Sequence, residues 1–261
     1  MTKSIGRRRF LERTLALPAL VGGAVKAEGD PAPPQVTSNP LSVVCVGGHP
    51  DDPESGCGGT LTMYAALGHR VTIVYLTRGE RGIPGKSLGE AAAIRTAEAE
   101  TACRLIGAKP VFAGQIDGDT ELTRSRVDEM IRILDAAAPD IVFTHWPMDT
   151  HQDHQVASFL TMRTYVARQR RFPIYFFEVD LGDQTMGFHP TDYVDISRVR
   201  EKKKAALFAH KSQDGEAIYR DHHEVMENFR GREAHVPAAE AFVALGSPQR
   251  ATMLPIAGRI S

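Results

Sequence analysis

The chain has 261 residues, with 31 Lys+Arg against 32 Asp+Glu and a formal net charge of −1. Hydrophobic residues make up 42% and charged residues 24%, which excludes collagen-like, largely disordered and multi-pass membrane classes. Residues 1–27 hold six basic residues and one acid, a net of +5 that leaves −6 for the rest of the chain.

That basic segment reads Arg7-Arg8-Arg9-Phe10-Leu11, then an apolar stretch from Thr14 to Val25, then Val25-Lys26-Ala27. A basic start, a short apolar core and a small-residue cleavage pattern are the layout of an export signal. Adjacent arginines followed by Phe-Leu resemble a twin-arginine signal. The expected partner is then the twin-arginine export machinery and the expected location periplasmic or extracellular, with membrane anchoring if the leader stays uncleaved. Residues 28–40, with four prolines, read as a linker ahead of a working domain at 41–261. An acidic working domain is a poor match for polyanions, so no nucleic-acid partner is expected. Cys45, Cys57 and Cys103 form neither a disulfide framework nor a CxxC metal site.

Strand-like apolar runs fall at Leu41–Val46, Val71–Leu76, Val111–Ala113 and Ile141–Thr144. Helical patterns lie between them, at Glu90–Leu105 before Gly107 and at Thr123–Ala138 before Pro139. A further helix is predicted from His151 to Gln169, then strands at Ile174–Phe177 and Tyr193–Ile196. Helices over Val199–His210 and Ala217–Phe229 close the series. Alternating β and α elements predict an α/β fold, a Rossmann-like, mostly parallel sheet with helices on both faces, as a single domain.

Two motifs carry chemistry. The first strand runs into Gly47-Gly48-His49-Pro50-Asp51-Asp52-Pro53-Glu54 and the glycine-rich Gly56-Cys57-Gly58-Gly59. The spacing of a dinucleotide loop is absent, and adjacent carboxylates would repel a pyrophosphate. One imidazole and two carboxylates on a proline-stiffened loop instead suit a divalent metal. The fourth strand leads into His151-Gln152-Asp153-His154, where His151 and His154 project from one helix face. A parallel sheet brings the carboxyl ends of its strands to one edge, so the two clusters are expected to meet there.

These residues resemble the N-acetylglucosaminyl-phosphatidylinositol de-N-acetylase group (PIG-L, or LmbE-like). The resemblance continues through Leu76-Thr77-Arg78-Gly79-Glu80, Arg95 with Glu98-Ala99, Val194-Asp195-Ile196, and Lys203 to His210-Lys211-Ser212-Gln213, covering about 41 to 245. It implies a metal-dependent hydrolase that removes an N-acyl group, foremost N-acetyl, from an amino sugar or glycoconjugate. It implies His49, Asp52 and His154 as metal ligands and Asp51 as general base. His151 would face the oxyanion as an imidazolium oriented by Asp153, while Arg95 and Asp117 would bind substrate. Zn2+ is the expected ion, and a His2Asp set also accepts Fe2+, Co2+ or Mn2+.

Two alternatives stand beside this reading: an amidase for another N-acyl substrate, such as a thiol conjugate or glycoside, and a non-catalytic metal-stabilised carbohydrate-binding protein. The final proton donor is Asp51 or His151. Substrate choice falls to loops at Arg78–Leu88 and Asp180–Pro190. Local alternatives pair Arg95 with Glu98 or Glu100, place Asp117 in a turn, and pair Asp195 with Lys203. The remaining histidines, His145, His210 and His223 among them, are expected to be packed or exposed. No feature of the sequence specifies an oligomeric state.

Overall fold

Alternation along the first strand, β1 (Ser42–Gly47), sends Val43 and Cys45 to one face of a sheet and Val44 and Val46 to the other. All four are fully buried, so the strand needs cover on both sides, the condition met by a parallel sheet flanked by helices. The computed structural model of the protein, described here for residues 39–179 and 184–245, supplies that cover. The expected leader at 1–27, the linker up to 38 and part of the 180–190 loop lie outside the described residues.

The strands are β1, β2 (Arg70–Tyr75), β3 (Ala108–Phe112), β4 (Ile141–His145), β5 (Ile174–Phe177), β6 (Asp192–Asp195) and β7 (Ala239–Leu245). The helices are α1 (Asp52–Ala66), α2 (Leu88–Ile106), α3 (Arg124–Ala137), α4 (Gln152–Ala167), α5 (Arg200–Phe208), α6 (Gly215–Ile218) and α7 (Glu224–Ala234). They build one seven-stranded sheet in the order β3-β2-β1-β4-β5-β7-β6. β1 through β5 pair in parallel, with Val43 opposite both Val71 and Ile141, while β7 runs antiparallel between β5 and β6. Leu61, Cys103 and Ala206 of α1, α2 and α5 fill one face, and Met130, Leu134 and Leu160 of α3 and α4 fill the other.

The predicted strands and most predicted helices are present, with ends shifted by a few residues. Two elements escaped the sequence reading. α1 contains the glycine-rich stretch read as loop, because its glycines answer packing rather than backbone freedom. A Cβ on Gly56 would stand 2.3 Å from Phe177 Cδ2, so only glycine lets the helix lie this close to β5. Pro53 fits in the first turn of α1, where no N–H is needed. The second element is β7, which closes the sheet from the far end of the described chain. The helix predicted over 217–229 is divided into α6, a π-helical turn at Tyr219–His223, and α7. Lys203 pairs with Glu227 and Glu240 rather than with Asp195, whose carboxylate caps Ser197.

Candidate metal centre

Strand order reverses between β1 and β4, and a crevice opens there beyond their carboxyl ends, where open α/β sheets place ligands. Both sequence motifs follow these two strands. Gly48 keeps the β1 end slim, since a Cβ there would stand 2.8 Å from His154 Cδ2. Asp51 then turns the chain into α1 with φ 109°, a left-handed conformation that costs a non-glycine residue roughly 1–3 kcal/mol. Such strain persists because its surroundings hold it. The Asp51 carbonyl accepts the Ser55 N–H at 2.9 Å, and its carboxylate meets Arg95 Nη2 at 2.9 Å.

Three donor atoms converge beside it. His49 Nδ1 lies 3.3 Å from Asp52 Oδ2, His154 Nε2 lies 3.2 Å from the same oxygen, and the two ring nitrogens are 3.3 Å apart. Ligands about 2.0–2.1 Å from one tetrahedral ion stand about 3.3–3.4 Å from each other, so these three fit a divalent metal. The expected ligands are brought together as a set.

Each histidine is held from behind by a carboxylate. His49 Nε2 lies 2.9 Å from Asp153 Oδ2 and 3.2 Å from Asp117 Oδ1, and His154 Nδ1 lies 3.0 Å from Asp149 Oδ2. With those nitrogens carrying hydrogen, the opposite nitrogens present lone pairs to an ion, the usual second layer of a metal-bound histidine. Without the ion the carboxylates favour protonated rings. Burial opposes this, yet Asp117, Asp153 and Asp52 hold His49 well above its usual range, and Asp52 and Asp149 push His154 up to about 9. Asp52 is held well below the carboxylate range, foremost by His154, although its burial acts the other way.

Asp153 is therefore placed differently from the sequence expectation. Its carboxylate serves His49, Gly118 N–H at 2.8 Å and Thr120 Oγ1 at 2.6 Å, and only its backbone N–H reaches His151. His151 caps α4, accepting that N–H on Nδ1 at 3.2 Å, so a neutral ring carries its proton on Nε2. Burial, then the neighbouring His49 and His154, lowers its pKa, which disfavours the expected imidazolium. Asp51 behaves oppositely: burial raises its pKa against the pull of Arg95.

Arg95 is buried, with Nη2 on Pro50 O at 2.5 Å as well as on Asp51. Neither Glu98 nor Glu100 is its partner, and Glu98 instead binds Ser212. Asp117 accepts the Arg81 N–H at 3.0 Å with its second oxygen. Both also line a cleft of about 420 Å³ with Arg81, Gly82, His151 and Gln213 over the three donors. A larger concavity, about 770 Å³, lies at the opposite edge of the sheet beside Arg70, Lys109 and Arg132 and holds none of the clustered donors.

Residues 44–165 match the model of the GlcNAc-PI de-N-acetylase family, PIG-L. Diacetylchitobiose deacetylase of Thermococcus kodakarensis is 32% identical over 192 residues, covering 68% of this chain and 72% of its own. The chain belongs to the PIG-L family. Among solved structures, N,N'-diacetylchitobiose deacetylase from Pyrococcus horikoshii superposes with a TM-score of 0.69 at 26% identity, covering 78% of this chain and 83% of that one. A 4-oxalmesaconate hydratase of Pseudomonas putida is 28% identical over 188 residues, covering 64% of this chain and 71% of its own.

In this PIG-L chain two residues of the centre had been passed over. His145 ends β4, stacks on the His154 ring at 3.9 Å between centroids, and accepts the Gly48 N–H on Nε2 at 3.0 Å. Burial drives its pKa down to about 4, so it stays neutral and its 3.3 Å approach to Asp52 is no ion pair. It acts as a plate that fixes the ligand ring. Asp149 sits two positions before His151, a spacing indistinguishable from an ordinary turn until the His154 contact is seen.

Proposed function

We propose that the chain is a metal-dependent N-deacylase that hydrolyses the acetamide of an amino sugar or glycoconjugate, with Zn2+ as its resident ion. One observation carries the reading. Asp51 stands next to a ligand but outside the three-donor set, tied to Arg95 and aimed at the cleft. A binding site alone has no use for such a carboxylate. Held by His49, Asp52 and His154, a divalent cation supplies polarisation of the amide carbonyl and a lowered pKa for water.

Asp51 takes a proton from the attacking water and returns it to the leaving amine. Burial raises its pKa, which favours capture of the proton. His151 donates from Nε2 to the developing oxyanion as a neutral imidazole. Asp153 and Asp149 do not meet substrate; they fix the ring planes of the two ligand histidines. Arg95 sets the rotamer of Asp51, and with Asp117 it presents polar groups to the sugar. The two deacetylases of chitobiose among the relatives support an N-acetylated glycan as the substrate class.

The hydratase relative favours one second reading, since a base beside a metal also activates water for addition to a conjugated acid. Release of acetate from N-acetylglucosamine and its oligomers, with and without chelator, separates the two. Chelator-sensitive acetate release supports the deacylase; hydration of 4-oxalmesaconate without acetate release overturns it. Export rests on the Arg7-Arg8-Arg9-Phe10-Leu11 leader, and replacing Arg7 and Arg8 by lysine should leave the protein in the cytoplasm.

A further inference from the structure

The three metal donors have open space on two sides. Toward Arg81, Arg95 and Asp117 lies the 420 Å³ cleft. A second cavity, about 160 Å³, shares Asp51, Asp52, His154 and Gln184 with it but is otherwise walled by Ser55, Val179, Ile218, His222 and His223. An amide hydrolase must seat two halves of its substrate on either side of the carbon it attacks. The amine half of an amino sugar carries several hydroxyls and suits the larger, charged cleft. The acyl half is small, and the second cavity remains for it.

That cavity is roomier than an acetyl group requires, since a void of about 150 Å³ takes a benzene ring. Its walls also differ in kind. Val179 and Ile218 are apolar, and Ser55 spends its hydroxyl proton on Asp52 O at 3.0 Å. His223 is 4% exposed, and its ring makes no hydrogen bond to a side chain or backbone group among the described residues. An imidazole enclosed in this way and lining the cavity gains a hydrogen-bond partner when a polar group enters it. Its position comes from the π-helical turn Tyr219–His223, whose wider spiral departs from the α-helical register on either side.

We propose that the smaller cavity is the acyl subsite and that His223 selects, within it, short acyl groups bearing a hydroxyl over isosteric acyl groups that lack one. The assignment rests on the N-deacylase reading. A neutral imidazole offers one donor and one acceptor, enough to pair with the hydroxyl of an N-glycolyl group, and an N-propionyl group of the same size leaves it unpaired.

The test uses metal-loaded protein and follows free amine from N-acetyl-, N-glycolyl-, N-propionyl- and N-butyrylglucosamine. Wild type is expected to favour glycolyl over propionyl by about tenfold in kcat/KM. His223→Leu should bring that ratio to about one, and His223→Gln, which keeps a hydrogen-bonding amide, should restore most of it. A ratio that His223→Leu leaves unchanged overturns the assignment while the N-deacylase reading stands. Should leucine at 223 prevent folding, Ile218→Trp probes the same cavity from a half-buried position. Selective loss of the glycolyl, propionyl and butyryl substrates relative to the acetyl one then supports the subsite, and a uniform loss across all four overturns it. Amine release from none of the four by wild type overturns both readings.

Discussion

Lys203 is as deeply buried as His154, yet the two are surrounded in opposite ways. Lys203 Nζ meets Glu227 Oε1 at 2.9 Å and Glu240 Oε1 at 2.7 Å, and Glu240 also accepts the Gly59 and Thr60 N–H groups of α1 at 2.8 Å. Nearby, Arg230 forks onto both oxygens of Glu178 at 2.6 and 2.8 Å. In this antiparallel half of the sheet, buried charge of one sign is answered by the other. At the parallel half, one nitrogen each of His49 and His154 and one oxygen of Asp52 converge on a common point, and further carboxylates stand behind the two rings. The lesson is that burial of charge does not mark function. Ligand atoms that converge on one point at the mouth of a cleft do, and a closed ion-pair network marks structure.

The comparison breaks most severely at a ligand. His154→Ala should abolish bound metal and reduce turnover by more than about a thousandfold, read by elemental analysis and acetate release. Lys203→Met should do the reverse. Leaving Glu240 buried without its cation, and Glu227 with Arg200 alone, is expected to cost about 3–5 kcal/mol, seen as a lower denaturation midpoint, while metal per folded chain stays at one. A smaller effect is expected behind the ligands: Asp149→Asn or Asp153→Asn should weaken metal affinity about 10–100-fold, measured by competition with a chromophoric chelator. The smallest is the pH slope. His154 is pushed up to about 9 without metal, chiefly by Asp52 and Asp149 against the opposing effect of burial. Binding must then displace its proton, so affinity should fall as pH drops below 9, about tenfold per unit for each proton released. A flat profile would show that the rings are already neutral.

Much of this was legible in the sequence, for identifiable reasons. Apolar runs in β1, β2, β4 and β5 announce strands because both of their faces are buried. The ligands were legible because each lies within a few residues of a strand end, where topology alone determines convergence. α1 was not, because its glycines answer to Phe177, Ile196 and Lys203, which approach from far along the chain. β7 was missed because its place between β5 and β6 depends on pairing across the whole domain. The carboxylates behind the ligands were misassigned for a similar reason. Asp153 neighbours His151 in sequence, but the start of α4 turns its side chain to His49, more than a hundred residues away. Lys203 was given to Asp195, whose side chain lies on the exposed end of β6, while Glu227 and Glu240 arrive from α7 and β7.

The central claim is a division of labour between adjacent residues: Asp52 holds the ion and Asp51 moves the proton. Metal content and acetate release measured together on Asp51→Asn and Asp52→Asn test it directly. Asp51→Asn is expected to retain one metal per chain and lose about 10²–10⁴-fold in turnover, whereas Asp52→Asn loses the metal as well. Loss of metal from Asp51→Asn, or near-normal turnover in it, would contradict the account.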